Sequence, residues 1–508
     1  MPHIAMEGAQ PKLDRASLLL AAIVFAYLCL WALPININSD GLFHLNAGRG
    51  IAETGSLLEL QYHEVNHPIN YPETYHVLLA LAYMEGGEGL VKLLSPLCGV
   101  LVALFLYLTL RPISRCLAFV SAVAAIALLT HELIQPYLEA CLLAGAMGAI
   151  HYGTRFLRTR ERGCLLLCCL FVGLSMSVKQ QGLYFFGVMV LVLASLSVYM
   201  RLKHRPVYRP GSLSVIVLVP TVMALAPLWD QVDRNGTLLP LLVDVSRVHS
   251  YEAVSAIVKE YILGPGFWQS PSGWVSYLAI PAFGLLALGA VYLFKRDKLL
   301  AWMLLAMLLA EVVVASCTAT GSLVRQYHVV GLCLAPAFIV SGVFFLRGVP
   351  GLRSVSLLIA ALILVIGTFG LYSYQKNVWG NSGRCDDEHI AMYKEVGRYI
   401  AENTDPGAVF LADSVGFLYY SLENGGYRIT LYSIFGCTNR QAAMNRIRSN
   451  NVDYVFLETR QPEKEAWWND FVPPWPTENE RDGSQDLQRV FFIQNGEEDA
   501  FILYRVIY

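Results

Sequence analysis

The sequence predicts an all-α polytopic membrane protein of about eleven transmembrane helices carrying a small C-terminal soluble α/β domain. Three observations carry that prediction. Hydrophobic residues make up 55% of the 508 positions and charged residues only 15%, far from ordinary globular composition. Long apolar runs recur up to about residue 374, at the length of one bilayer crossing. Beyond that point the chain turns abruptly polar and takes on the short periodicities of a soluble domain.

The apolar runs fall near 17–34, 90–110, 115–131, 136–154, 163–179, 183–201, 212–229, 274–294, 299–317, 327–346 and 354–374. The first follows a short leader with Lys12 and Arg15 and is not followed by a small-residue cleavage site, so it reads as a retained span rather than a signal peptide. Basic clusters test the assignment, because Lys and Arg concentrate in cytoplasmic connections. With the N-terminus inside, Arg111/Arg115, Arg155/Arg158/Arg160/Arg162, Arg201/Lys203/Arg205/Arg209, Lys295/Arg296/Lys298 and Arg347/Arg353 all fall on the inner side. The long connections 35–89 and 230–273, and everything after 375, then lie outside. The expected division is 1–374, a multi-span domain with an outer loop over 35–89, and 375–508, an extracytoplasmic domain.

In the C-terminal region HIAMYKEVGRYIAENT (389–404) and QAAMNRIRSN (441–450) read as helices. AVFLA (408–412), DYVFLE (453–458), RVFFI and FILYRV read as strands, with a proline-rich surface loop over 471–484. No internal repeat or low-complexity tract is present. The net charge of −2 and the scattered basic residues give no nucleic-acid footprint. Most of the 11 cysteines sit in apolar runs, where a small buried hydrophobe is the simpler reading. Cys385 and Cys437 lie in soluble sequence and can pair only if that region meets an oxidising compartment. Walker, GxSxG, HExxH and redox-cysteine motifs are missing, which removes the starting residues for ATPase, serine-hydrolase and zincin chemistry.

The outer loop 35–89 is the richest in chemistry. Asp40 stands six residues beyond Pro34 and His44 four further on, on one face if the segment is helical. Glu53, Glu59, His63, Glu64, His67, Tyr71, Glu73 and His76 follow. A carboxylate at a membrane mouth can remove a proton from an acceptor, or merely cap a helix or sit in water. Asp40 and His44 are also suitable ligands for a divalent cation such as Mg or Mn, although two ligands do not complete a site.

The next outer connection, THELIQPYLEA, carries Glu132 and Glu139, and ionisable groups at membrane depth mark function. Glu139 is favoured for a pocket, and Glu132 is expected to be an exposed loop residue. Lys179 ends the fifth span and Arg325 opens the tenth, with His328 three residues on. Both cations stand against the inside rule. Snorkelling accounts for an isolated Lys, whereas an Arg beside Gln326, Tyr327 and His328 suits the oxygens of a phosphate.

Together these features resemble the GT-C superfamily of integral-membrane glycosyltransferases, whose relatives include protein O-mannosyltransferases, aminoarabinose transferases of lipid A and oligosaccharyltransferase catalytic subunits. The resemblance rests on the acid after the first span in SDGLFH (39–44), the GRGIAETG-like phrase, and the Tyr-Pro turn into YPETYHVLLALAYMEGG (71–87). It rests also on the second acid, Glu139, the Lys phrase at Lys179, the late Arg325 before Pro336, and the soluble tail. It covers nearly the whole chain.

The resemblance implies Asp40 as general base or acceptor-orienting carboxylate, Glu139 as the second acid, and Lys179 and Arg325, with His328, on the donor phosphate. His44, His63, His67, Tyr71 and His76 would line the substrate pocket. It implies a sugar donor on a polyprenyl or dolichyl phosphate and inversion at the anomeric carbon. The acceptor, a protein, lipid or glycan, is expected on the non-cytoplasmic face, and the membrane is expected to be the cell membrane rather than the endoplasmic reticulum. The chain departs from the family's adjacent acidic pair at Ser39-Asp40 and from its paired prolines at Pro72-Glu73. A transporter is the rival from another class, but it calls for broken polar helices at the bilayer midplane, and here only Glu311 stands out within a span. A non-catalytic scaffold presenting the outer domain is the third reading.

Overall fold

The computed structural model describes residues 14–37, 39–54, 72, 74–179, 181–202, 210–235, 271–318, 329–354, 356, 358, 387–412, 416–422, 428–431, 440–458, 487–495 and 499–508. The chain divides into two compact units. The first comprises Met1–Pro34, Tyr71–Tyr75 and Lys92–Val378, and the second Ile35–Asn70, His76–Val91 and Trp379–Tyr508. The second unit therefore contains most of the outer loop as well as the C-terminal domain, a grouping that the expected division near 375 did not contain.

The apolar runs fold as helices because a segment that shields its own backbone polar groups is favoured wherever water is scarce. They are α1 (Arg15–Ala32), α3 (Thr74–Leu110), α4 (Arg115–Leu128), α6 (Leu138–Thr159), α7 (Arg162–Val178), α8 (Gln181–Leu202) and α9 (Pro210–Asn235). Three further helices, α10 (Pro271–Arg296), α11 (Lys298–Thr318) and α12 (Val329–Arg347), complete the set. Of these α1, α3 and α12 are each long and apolar enough to cross a membrane. The expected last span, 354–374, lies almost entirely outside the described residues. α3 begins inside the expected outer loop and breaks at Gly86 and Gly87, the latter at φ 59°, a backbone that favours glycine.

Local chemistry fixes several ends of the first unit. Asp14 caps α1 by accepting the Ser17 N–H at 2.9 Å, and its carboxylate also meets Arg111 at 3.4 Å. Arg158 pairs with Asp297. These two ion pairs join connections that the basic-cluster pattern assigns to one side. Close helix packing comes from small residues: a Cβ on Gly148 of α6 would stand 2.6 Å from the Phe171 ring of α7, and one on Gly342 of α12 would strike the Leu285 backbone of α10.

In the second unit the polar tail forms a five-stranded sheet in the order β2-β1-β3-β5-β4, from β1 (Val409–Ala412), β2 (Arg428–Leu431), β3 (Tyr454–Glu458), β4 (Leu487–Asn495) and β5 (Asp499–Val506). β1 runs parallel to β2 and β3, with Phe410 opposite Tyr454, while β5 is antiparallel to β3 and β4. Alternation sorts the two faces. Leu411, Val455, Leu457, Ile502 and Tyr504 pack on Met444 and Ile447 of α14 (Arg440–Ser449). The opposite face stacks Phe456 on Phe417 at 4.2 Å and sets Phe501 4.5 Å from Tyr393 of α13 (Asp387–Asn403). Phe417 opens a π-helical turn, Phe417–Ser421. The helices at 389–404 and 441–450 and the strands at 408–412 and 453–458 fall where the periodicity puts them, whereas β2 and the π turn carry no such signal.

Candidate functional site

In the first unit, Glu139 lies in the first turn of α6 and Lys179 is the residue that closes α7. Both positions suit their charges, since a helix N-terminus favours an anion and a C-terminus a cation. Their side chains form an ion pair, each 4% exposed. Desolvating two charges is costly, and a pair retained at that cost in an apolar helical layer marks a working site more often than a stabilising one. Gln181, two residues beyond Lys179 at the start of α8, is also buried, and its Nε2 finds no hydrogen-bond partner among the described residues. The turn between α7 and α8 is tight: a Cβ on Gly182 would collide with the backbone of Ser175 and Met176.

The connection that precedes Glu139 is not a wet turn. It folds as the short helix α5 (Thr130–Ile134), and Glu132 is 1% exposed, with Gln135 and Tyr137 also buried. The expectation that Glu132 sits exposed in a loop is therefore corrected. Position 129–139 is short in sequence, but α5 tucks it inward, and the Tyr27 hydroxyl of α1 reaches Thr130 Oγ1 at 3.0 Å. The Tyr137 hydroxyl lies 3.4 Å from His131 Nε2.

In the second unit Asp40 falls in the first turn of helix α2 (Ser39–Thr54), the segment expected to be helical; its side chain lies outside the described residues. His44, on the same helix, is buried, and its Nδ1 stands 3.0 Å from Nε2 of His76 at the start of α3. A contact of that length needs one ring nitrogen protonated and the other bare. Gly48 permits the approach of the two helices, since a Cβ there would stand 2.7 Å from Leu79 Cβ. Asn46 is buried with both amide atoms lacking a hydrogen-bond partner among the described residues.

Arg49, part of the GRGIAETG phrase but not singled out by its chemistry in the sequence, is the largest surprise. It is 2% exposed, donates from Nη1 to the Tyr419 carbonyl at 3.1 Å, and reaches the Leu422 carbonyl with Nη2 at 3.4 Å. Its sequence signal was only an arginine on an outer helix.

Of the remaining expected site residues, His63, His67, Tyr71, Arg325 and His328 lie outside the described residues, as do Cys385 and Cys437. Among the described residues no group of three His, Cys, Asp or Glu side chains converges to hold a metal ion.

Comparison with solved structures assigns the class of fold. The chain is similar over 96% of its length to ArnT of Cupriavidus metallidurans bound to undecaprenyl phosphate, which it covers to 97%, with a TM-score of 0.58 at 11% identity. The apo form of the same protein gives a TM-score of 0.56 at 12% identity over 96% of this chain and 98% of that one. At that identity the likeness shows the fold: this chain is folded like ArnT. At the level of sequence, residues 3–329 match DUF6541, a family of unknown function, and the chain belongs to that family. No curated protein matches it by sequence.

Proposed function

We propose that the protein is a GT-C-type membrane glycosyltransferase that moves a sugar from a polyprenyl-phosphate donor to an acceptor on the non-cytoplasmic face. The observation that carries this reading is likeness of fold along nearly the whole chain, both units included, to a transferase whose structure holds undecaprenyl phosphate. The buried Glu139–Lys179 pair is the local feature that agrees with it.

In this reading Lys179 and Arg325, aided by His328, bind the donor phosphate, and the amide of Gln181 offers one further hydrogen-bond donor. An acceptor oxygen or nitrogen attacks the anomeric carbon in line, the bond from that carbon to the phosphate oxygen breaks, and the configuration inverts. Polyprenyl phosphate leaves with the bonding electrons. Its charge is met by cations already in place, which a site shielded from water makes effective. Asp40 takes the acceptor proton or orients the acceptor, and Glu139 serves as the second acid while holding Lys179 neutralised until phosphate arrives. His44, His63, His67, Tyr71 and His76 line the sugar pocket, and Asp40 with His44 are the residues a divalent cation would use. The acceptor is a protein, lipid or glycan, and the membrane is the cell membrane.

The test is transfer of radiolabelled sugar from a panel of polyprenyl-phosphate donors in membranes holding the protein or its Asp40→Asn variant. Donor consumption that requires Asp40 is expected. No difference across the panel, with both proteins folded, rejects the enzyme in favour of a transporter or scaffold.

A further inference from the structure

A guanidinium sealed from water at 2% exposure is expensive unless its donors are met. Among the contacts of Arg49 are two to backbone carbonyls and one to a carboxylate. Two of its nitrogens take the carbonyls of Tyr419 and Leu422, its guanidinium carbon lies 5.2 Å from the centroid of the Tyr419 ring, and its Nε stands 3.4 Å from Oε1 of Glu53, whose side chain is 42% exposed. One carbonyl belongs to the π-helical turn Phe417–Ser421 and the other to Leu422, the residue that closes it. A planar fork chelating two such carbonyls fixes both distance and angle, which a point charge cannot do.

The turn that Arg49 grips is itself anchored. Phe417 stacks on Phe456 of the sheet, Ser421 Oγ donates to the Tyr393 carbonyl at 2.7 Å, and a Cβ on Gly397 would stand 2.6 Å from the Ser421 carbonyl oxygen. On its other side the Tyr419 hydroxyl donates to Glu88 of α3 at 3.3 Å. Burial, and then the Glu88 carboxylate, hold that hydroxyl well above the usual tyrosine range, so it remains a donor. The path therefore runs from the sheet core through the π turn to one side chain of α2, nine residues after Asp40 and five after His44 on one continuous helix. π turns are rare and recur at functional sites.

We infer that Arg49 is a positioning residue through which the C-terminal α/β domain holds α2 in its working orientation, so that the domain is part of the catalytic apparatus rather than an appended module. The inference rests on the reading of Asp40 as the residue that deprotonates or orients the acceptor. Movement of the reacting groups by about 1 Å costs about 10²-fold in rate. Loss of the fork therefore falls on turnover, while donor affinity, which depends on cations of the other unit, is left alone.

The experiment uses the full-length protein in lipid nanodiscs, with Arg49→Lys, Arg49→Met and Tyr419→Phe variants. It reads donor kinetics, the pH dependence of kcat, and hydrogen–deuterium exchange over 39–54 and 416–422. Arg49→Lys keeps the charge and loses the fork. It is expected to cut kcat by about 10²-fold with donor KM within about twofold, to shift the acid limb of the kcat profile, and to raise exchange across α2. A purely structural arginine lowers the amount of folded enzyme, which scales that profile without moving it. Wild-type exchange in 39–54 and an unmoved profile for Arg49→Lys overturn the inference, even if Arg49→Met fails to fold. If the wild-type protein turns over no donor, the reading of Asp40 fails, and exchange alone decides the clamp: unchanged protection of α2 in both Arg49→Lys and Tyr419→Phe rejects it.

Discussion

Replacing Lys179 by Met separates a structural ion pair from a ligand. The substitution strands the Glu139 carboxylate at 4% side-chain exposure, with its counter-ion gone. Breaking a buried pair by removing one partner costs ~3–5 kcal/mol, a factor of roughly 10² to 5 × 10³ in the folded-to-unfolded ratio. Removing both charges with well-packed neutral groups is close to neutral, so Glu139→Gln combined with Lys179→Met should recover most of the lost stability. Donor binding should not recover with it. A hydrogen bond to a charged group contributes ~1.5–3 kcal/mol, so loss of the ammonium from the phosphate raises donor KM by about ten- to a hundredfold in the single and the double variant alike. The assay is thermal unfolding in detergent beside donor titration of the same preparations. A double variant as unstable as the single one refutes the coupling of the two residues. One that regains wild-type KM refutes Lys179 as a phosphate ligand and leaves the pair as packing.

Two further outcomes follow from particular contacts. Gly148→Leu drives a side chain into the Phe171 ring, already 2.6 Å from the Cβ position, and should lower stability by ~1–3 kcal/mol, whereas Gly163→Leu, with nothing within 4 Å, should be silent in the same melt. Asp14 is pushed up by partial burial, but hydrogen bonding from Ser17 and the Arg111 charge outweigh this and hold its carboxyl below the usual carboxylate range. A depressed value means that its stabilisation is present above the ordinary carboxylate pKa and fades as pH falls through the lowered one. Asp14→Ala, worth ~1 kcal/mol as a lost cap, should therefore destabilise at neutral pH and converge with wild type in strong acid, as read from melting temperature against pH.

Much of the fold is legible along the chain because its causes are local. An apolar run of bilayer length becomes a helix whatever it packs against, since it must satisfy its own backbone. α1, α4, α6, α7, α11 and α12 accordingly stand on runs that composition marks. Strands β1 and β3 alternate buried aromatics and aliphatics at period two, visible in AVFLA and DYVFLE. Charge type can be read as well: Glu139 and Lys179 each stand out as ionisable groups at the ends of apolar runs.

What the chain does not spell out is who meets whom. Glu139 and Lys179 are 40 residues apart and Arg49 and Tyr419 are 370 apart, and no local pattern encodes either meeting. Glu132 has the composition of a loop residue and is buried because α5 folds inward, a matter of packing rather than of its neighbours. β2, only RITL, takes its place at the sheet edge from its parallel register with β1, and β5 lies between β3 and β4 through pairings no periodicity selects. Hydrophobic periodicity is a property of adjacent residues and survives in sequence. Ion pairs, chelated carbonyls and sheet order are properties of surfaces brought together from distant segments, so the tertiary structure alone decided that α2 and the C-terminal domain fall in one compact unit, within which buried Arg49 donates to the Tyr419 carbonyl.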